Sequence, residues 1–188
     1  MKRLLDIIVA LCGLMLWLLL HPFIALAIML ESRGGIFYRQ ERLGRNGQPF
    51  TLCKYRTMVA DAEGDGTPRW SPPADPRVTR AGRGLRRFGL DELPQFWSVL
   101  KGEMSVVGPR PERAYFYEKY PELRCERLKV LPGITGLAQV SHRATATEED
   151  LRRKLAYDAR YVRQRSLWLD VRIMWRTVTL LLGGRDLL

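Results

Sequence analysis

Two adjacent carboxylates, Asp91 and Glu92, are the strongest candidates for chemistry in this sequence. They stand at the start of a short helix that we predict over residues 91–101, with Pro94 in its first turn, where proline is tolerated. A helix N-terminus attracts phosphate and would keep a carboxylate ionised and nucleophilic. Paired carboxylates can also hold Mg²⁺, which neutralises a diphosphate during transfer. The simpler alternative is that two acidic residues only stabilise a first helical turn.

Arginines precede this acidic pair in a second predicted helix, at residues 77–88. Arg86, close to the pair along the chain, is our candidate phosphate contact. The alternative is a stripe that faces solvent or lipid headgroups. The arginines near one face of this helix are Arg77, Arg80, Arg83, Arg86 and Arg87.

A Gly-Pro-Arg-Pro-Glu segment at 108–112 follows the acidic pair. Proline restricts the residue before it to extended geometry, so Arg110 is held stiffly between Pro109 and Pro111. A guanidinium fixed in this way suits bidentate recognition of a phosphate or a nucleobase edge. Glu112 closes the segment and joins the candidate set, although the segment by itself is equally typical of a structural corner.

A second glycine-rich segment, Pro-Gly-Ile-Thr-Gly at 132–136, predicts two tight turns around Thr135. Backbone N–H groups in such turns can approach a phosphate. Gln139 and Arg143 follow shortly afterwards and are further candidate contacts for an anion.

The composition indicates an anionic partner. Lys and Arg number 31 against 20 Asp and Glu, a net charge of +11. Nucleic acid, acidic lipid and a phosphorylated ligand all fit this charge. Three scattered cysteines and two histidines argue against a disulfide framework, a structural zinc site and a histidine-based metal site.

Residues 4–30 are almost continuously apolar and long enough to cross a membrane. The pair His21-Pro22 interrupts the run, and proline kinks a helix. Basic residues flank both ends, Lys2 and Arg3 before and Arg33 after, and positive charge marks the cytoplasmic side. A helical hairpin that enters the membrane, bends at Pro22 and returns places both basic flanks on the cytoplasmic side. A kinked ordinary transmembrane helix places only one of them there.

The remaining elements predict a mainly α fold with a small β-hairpin, an α+β class. The hairpin covers residues 36–56 with a turn at 44–47, and residues 61–76 form a loop with Trp70 at its tip. Two helices follow at 147–164, where Thr147 and Asp150 have capping-box spacing, and at 166–182.

The last of these helices carries Trp168 and Trp175, so it belongs either to the headgroup layer or to the core. We divide the chain into a membrane anchor at 1–32 and one catalytic domain at 33–188. The anchor and the amphipathic helices would together hold this domain at the membrane.

Read in order, the segments YRQERLGRNGQPF, KYRTM, DPRVTRAGRGLRR, LDELPQFWSVLKGEMSVVGPRPE, PGITGLAQVSHR and YVRQRSLWLDVRI are more specific than any one alone. Together with the proline-broken apolar start, they resemble the monotopic phosphoglycosyl transferases of the bacterial sugar transferase family, in their small form. The resemblance covers nearly the whole chain, and LDELPQ with GPRPE is its most specific part.

The resemblance implies transfer of a phosphosugar from a UDP-sugar to a polyprenyl (undecaprenyl) phosphate, with release of UMP, as the first membrane step of bacterial glycoconjugate synthesis. It implies Asp91 as the nucleophile that forms a covalent intermediate, Glu92 as its metal-associated or acid–base partner, and Mg²⁺ as the cofactor. The candidate substrate contacts are Arg86, Pro109, Arg110, Pro111, Glu112, Thr135, Gln139 and Arg143.

The resemblance also implies a re-entrant helix-break-helix in one leaflet of the inner membrane, with the catalytic domain on the cytoplasmic face and no role for nucleic acid. Two positions depart from the family pattern. His21 replaces a frequent serine before the proline, and Gly89 stands where a serine or threonine is common.

A competing hypothesis is a basic, membrane-tethered module that binds nucleic acid or acidic lipid without chemistry. Nucleic-acid binding by stacking needs aromatic platforms, and residues 77–87 contain none.

Overall fold

The computed structural model describes residues 1–60, 62, 64, 75–124, 126–142 and 147–183. Trp70, most of the predicted loop at 61–76 and Arg143 therefore lie outside the described residues. Within them the fold is mainly helical with two small sheets, which confirms the predicted class and adds a second sheet.

The apolar start forms one helix, α1 (Lys2–Glu31), which is long and apolar enough to cross a membrane. It continues through Pro22, so the interruption predicted at His21-Pro22 is not a gap in the helix. Proline removes one backbone hydrogen bond, and the residues that follow it, Ile24 and Ile28, are buried against the domain and hold the helix in register.

One face of α1 packs on the rest of the chain, and the other is exposed and apolar. Gly13 marks the closest approach, because a Cβ there would lie 2.3 Å from the Phe96 ring. The buried residues recur at helical spacing: Asp6, Ala10, Gly13, Ile24, Ala25 and Ile28. The exposed face includes Leu4, Ile8, Leu11, Met15, Leu18, Leu19, Phe23, Leu26 and Leu30.

Both ends of α1 are attached to the same domain. At the start, the Lys2 ammonium donates to Asp170 at 2.8 Å and to the Val107 carbonyl at 3.1 Å. At the end, the Glu31 carboxylate accepts backbone N–H groups of Arg80 and Ala81. Because residues between these ends also pack on the domain, α1 lies along the domain rather than projecting from it.

The predicted hairpin is confirmed as β1 (Phe37–Leu43) and β2 (Pro49–Tyr55), with Phe37 opposite Tyr55. A single 3-10 turn at Arg45–Gly47 joins them. Asn46 and Gly47 adopt φ of 58° and 73°, a region that asparagine and glycine tolerate best.

A second sheet pairs β3 (Ser105–Val107) with β4 (Gly133–Thr135) in parallel, and the sequence did not predict it. Gly108 and Gly133 allow this pairing, because a Cβ on Gly133 would lie 2.1 Å from the Gly108 nitrogen. The pairing brings the proline- and glycine-rich segments 108–112 and 132–136 together. It also uses the Gly133 N–H, which donates to the Pro109 carbonyl, although the sequence predicts N–H groups of this turn as phosphate contacts.

Short helices connect these strands. The region around the acidic pair contains α2 (Arg80–Arg87), a 3-10 helix (Leu90–Gln95) and α3 (Phe96–Lys101). Between the strands of the second sheet lie α4 (Ala114–Lys119) and 3-10 turns at Pro121–Arg124 and Glu126–Lys129. The C-terminal part contains α5 (Leu137–Ser141), α6 (Glu148–Gln164) and α7 (Leu167–Leu182).

The last two helices match the sequence prediction closely. The Thr147–Asp150 capping box opens α6, and the Ser166 side chain caps α7. Helix α7 buries Asp170 and Ile173 in the interior, while an apolar stripe on its other side is exposed. The stripe consists of Trp168, Val171, Trp175, Val178 and Leu182.

An aromatic cluster joins α1 to the hairpin beside Pro22. The buried Tyr55 hydroxyl accepts the Trp17 indole N–H at 3.0 Å and lies 2.7 Å from Nδ1 of His21. The His21 and Phe37 rings stack with an interplanar angle of 2°. The residue that departs from the family pattern therefore has its hydrogen-bond partner on β2.

We predict that Tyr55→Phe destabilises the protein by about 1–3 kcal/mol, because the indole and imidazole lose a buried hydrogen-bond partner while ring packing remains. The shift in the midpoint of thermal unfolding in detergent measures the effect. Tyr157→Phe is the matched control, since Tyr157 is only half-buried. Equal midpoints for the two variants would contradict the structural role of this hydroxyl.

Candidate active site

The acidic pair lies in the 3-10 helix Leu90–Gln95, not in the first turn of an α-helix as predicted. Gly89 enters this turn with φ of 64°, and its carbonyl accepts the Glu92 N–H at 3.3 Å. Helix α3 begins only at Phe96. Basic side chains from neighbouring elements, rather than the end of an α-helix, therefore supply the positive field around the pair.

Asp91 is only 1% exposed, and its environment differs from the predicted one. Burial and the neighbouring Glu92 raise the pKa of Asp91 to about 6, against the opposing attraction of Lys54, Arg86 and Arg110. The predicted helix N-terminus would supply an electrostatic field that favours only the ionised form of Asp91. The structure instead gives a carboxylate that is more basic than usual, with cations beside its charged form.

Lys54, which was not predicted from the sequence, belongs to this site because its charge acts on Asp91. Burial lowers its pKa to about 8, in opposition to the attraction of Asp91. The alternation of side chains along β2 could have indicated this residue. Phe50, Leu52 and Lys54 lie on the same face of the strand, so a lysine follows two apolar residues on an inward face.

Arg86, the predicted phosphate contact, is half-buried near the acidic pair. Its Nε donates to the Thr57 hydroxyl at 3.0 Å, and its charge acts on Asp91. The other arginines of the predicted face lie elsewhere. Arg77 precedes α2 and binds Asp75 at 2.6 Å, while the exposed ones are Arg80, Arg83 and Arg87.

Arg110 contacts the acidic pair directly. Its Nη2 lies 2.7 Å from Oε1 of Glu92, and Pro109 and Pro111 on either side are buried. Burial alone would lower the pKa of Arg110, but attraction to Glu92 raises it, so the guanidinium stays charged. The guanidinium that we expected to project towards a ligand is therefore oriented by Glu92.

An apolar platform supports these charged residues. Tyr55, Leu85 and Leu90 belong to one core cluster with residues of α1. Each of them immediately neighbours a charged residue of the site, respectively Lys54, Arg86 and Asp91. The site is thus built directly on the domain's contact with α1.

The remaining sequence candidates have other contacts. Glu112 pairs with Lys154, and it lies 3.6 Å from Arg42. The Thr135 hydroxyl lies 2.7 Å from that of Thr177, and the Gln139 amide donates to the Ile134 carbonyl at 3.0 Å. Arg143 lies outside the described residues.

The acidic pair fits a cation only if a ligand completes its coordination. Oδ2 of Asp91 is buried without a hydrogen-bond partner among the residues described. Over the same part of the chain, no group of three or more His, Cys, Asp or Glu side chains is arranged to hold a metal. Mg²⁺ commonly binds one or two carboxylates together with substrate phosphates, and this donor set suits that arrangement.

Comparison with known proteins gives a consistent result. The family model described as bacterial sugar transferase matches residues 1–184. The UDP-N-acetylgalactosamine-undecaprenyl-phosphate N-acetylgalactosaminephosphotransferase of Aeromonas hydrophila is 39% identical over 186 residues, covering 97% of this chain and 44% of that protein.

Two further relatives are UDP-glucose:undecaprenyl-phosphate glucose-1-phosphate transferases. That of Escherichia coli is 42% identical, covering 95% of this chain and 39% of its own length. That of Caulobacter vibrioides is 43% identical, covering 96% and 69%. The chain spans less than half the length of the Aeromonas and Escherichia proteins.

We predict that Lys54→Met raises the pKa of Asp91 further, because a positive charge that favours the ionised carboxylate is lost. Carbon-13 NMR of labelled aspartate, without divalent cations and with Asp91→Asn for assignment, measures the shift. Lys101→Met is the control, since Lys101 pairs with Glu103 at the surface. An unchanged Asp91 titration in Lys54→Met would contradict this electrostatic coupling.

Proposed function

The chain belongs to the bacterial sugar transferase family, and from this premise we propose that it is a phosphoglycosyl transferase. It moves a phosphosugar from a UDP-sugar to a membrane polyprenyl phosphate, undecaprenyl phosphate in bacteria, and releases UMP. This transfer would be the first membrane step in assembling a bacterial glycoconjugate. The names of the three relatives, each of which includes undecaprenyl phosphate, support this choice.

One observation carries the proposal: a buried carboxylate, Asp91, lies beside a second carboxylate and among Lys54, Arg86 and Arg110. Cations in this arrangement bind a diphosphate and stabilise the charge that develops during phosphoryl transfer. A carboxylate of raised basicity in such a site is suited to attack on phosphorus.

In the first half-reaction, a carboxylate oxygen of Asp91 attacks the β-phosphorus of the UDP-sugar. The bond from this phosphorus to the bridging oxygen breaks, and UMP leaves with the electron pair. Asp91 then carries the phosphosugar as an acyl phosphate. Arg110, held by Glu92 at 2.7 Å, lies where it can bind the phosphoryl oxygens.

In the second half-reaction, a phosphate oxygen of the polyprenyl phosphate attacks the same phosphorus. The bond to Asp91 breaks, which regenerates the free carboxylate and leaves a diphosphate-linked sugar on the lipid. Both half-reactions use one carboxylate and one ring of cations, so donor and acceptor bind in turn.

Asp91 and Glu92 would hold Mg²⁺ together with donor phosphate oxygens, consistent with the unpartnered Oδ2 of Asp91. The bound ion would supply charge neutralisation for the diphosphate. Glu92 also holds Arg110 and thereby links the ion site to the cations around it.

We place α1 in one leaflet of the inner membrane as a re-entrant element that bends at Pro22, with the catalytic domain on the cytoplasmic face. Attachment of both Lys2 and Glu31 to one domain supports this, because a straight crossing would separate them by the bilayer. The tryptophan stripe of α7 suits the headgroup layer, where a lipid phosphate meets a soluble nucleotide.

We predict that Asp91→Asn lowers UMP release by about 10³-fold or more, because the amide is not a competent nucleophile. Mixing wild-type protein with donor alone should add the mass of one phosphosugar to the intact chain, at Asp91. EDTA should stop UMP release and added Mg²⁺ restore it. Glu149→Gln, an exposed substitution on α6, is the control. Turnover without any adduct would indicate direct transfer instead.

For the membrane arrangement, we predict that single cysteines ahead of Met1 and at Arg45 both resist an impermeant thiol reagent in intact cells. Both should react after lysis, because the re-entrant helix returns the chain to the side on which it began. The background lacks Cys12, Cys53 and Cys125. Labelling of one position and not the other in intact cells would demonstrate a full crossing.

A further inference from the structure

The loop that carries Arg110 is fixed through its carbonyl groups. Pro109 and Pro111 have no N–H to donate, so carbonyls are the backbone groups through which these positions can be held. Each of the four carbonyls at 109–112 accepts a hydrogen bond, and the donors lie on three other segments of the chain: β4, the 3-10 turn Glu126–Lys129 and β1. The donors, in order, are the Gly133 N–H at 2.9 Å, the Arg127 guanidinium, the Arg42 guanidinium at 3.1 Å and the Leu43 N–H at 3.1 Å.

Two of these donors are side chains, and acidic groups hold both of them. Arg127, on the 3-10 turn Glu126–Lys129, lies 3.3 Å from Asp158 of α6. Arg42, on β1, lies 3.6 Å from Glu112. The guanidinium groups therefore connect the backbone of the loop to carboxylates on α6 and on the loop itself.

Lys154 completes the network. It pairs with Glu112 and lies one helical turn before Asp158 on the same helix. Charges then alternate in sign from Arg42 through Glu112, Lys154 and Asp158 to Arg127. Burial alone would raise the pKa of Glu112, but Lys154, Arg42 and Arg127 lower it to about 2, so the carboxylate stays ionised.

The network is almost completely shielded from water, since the side chains of Arg127 and Asp158 are each 1% exposed. Burying charged groups carries a large desolvation penalty, so a buried ion pair is weak evidence of stabilisation. The geometry of the network is more informative. Arg42 and Arg127 donate to carbonyls of the loop, and the other three residues pair with these arginines or with each other. The orientation of Arg110 depends on these carbonyls.

We propose that Asp158 and Lys154 of α6 are positioning residues for Arg110, acting through Arg127 and Glu112 without touching substrate. Asp158 orients Arg127 against the Arg110 carbonyl, and Lys154 fixes Glu112 at the end of the loop. Arg110 is thereby placed 2.7 Å from Glu92 and beside Asp91. This inference rests on the proposed function, since it assigns these residues to the donor side of that reaction.

The test is a double-mutant cycle on UMP release with Asp158→Asn and Arg110→Ala. Asp158→Asn alone should lower kcat/KM for the UDP-sugar about 10- to 100-fold, because small displacements of a positioned group are costly in rate. KM for the polyprenyl phosphate should not change. In the Arg110→Ala background, Asp158→Asn should have little further effect, because the group it positions is absent.

If Asp158→Asn lowers kcat/KM by the same factor in the wild-type and Arg110→Ala backgrounds, the inference is overturned. Asp158 would then be a residue of general structural importance. Thermal unfolding and membrane retention of each variant are measured in parallel. Should Asp158→Asn not fold, Lys154→Met is used in the same cycle, with Lys154→Arg expected to recover most of the activity. A cycle with Lys154→Met that is also multiplicative would contradict the proposal.

Arg153→Met is the matched control on α6. Arg153 pairs with Glu149 four residues before it, but both side chains are more than half exposed, and we expect wild-type kinetics. Failure of the proposed function is separately visible, because wild-type protein would then release no UMP. An active wild type with unaffected Asp158→Asn and Lys154→Met variants would refute only the positioning role.

Discussion

The structure depends on keeping two adjacent carboxylates in a site from which water is nearly excluded. A buried carboxylate becomes neutral unless cations or hydrogen bonds compensate its charge. Lys54 from β2, Arg86 from α2 and Arg110 from the loop after β3 provide this compensation around Asp91. Each comes from a different element, so the hairpin, the short helices and the second sheet must all be in place before the site exists.

The same requirement explains why the apolar helix α1 also forms part of the platform under the candidate site. Phe96 of α3 packs on Gly13 of α1, and the cluster around Tyr55 joins α1 to β2 and α2, the elements that carry Lys54 and Arg86. The helix thus has two chemically different surfaces, one against the domain and one apolar and exposed. The phosphoglycosyl transferase that we propose would need such an arrangement, because its reacting groups must be held at a fixed depth in the membrane.

Local rules predicted much of the secondary structure. Strand-like segments around a turn that contains Asn-Gly predicted the hairpin, and a capping box predicted the start of α6. Lys54, the parallel pairing of β3 with β4, and the network of Arg127 with Asp158 were not predicted. These depend on contacts between residues far apart in the chain, and neither periodicity nor turn chemistry contains information about such distances.

The sequence by itself determined the long apolar start, the basic net charge and the adjacent pair of carboxylates, because each follows from residue types and their order. Only the tertiary structure decided that α1 continues through Pro22, that Asp91 is buried enough to become more basic, and that Glu112 holds the loop through Lys154. The reason is physical: a residue type sets which interactions are possible, whereas burial and the distance to distant charges set which of them form.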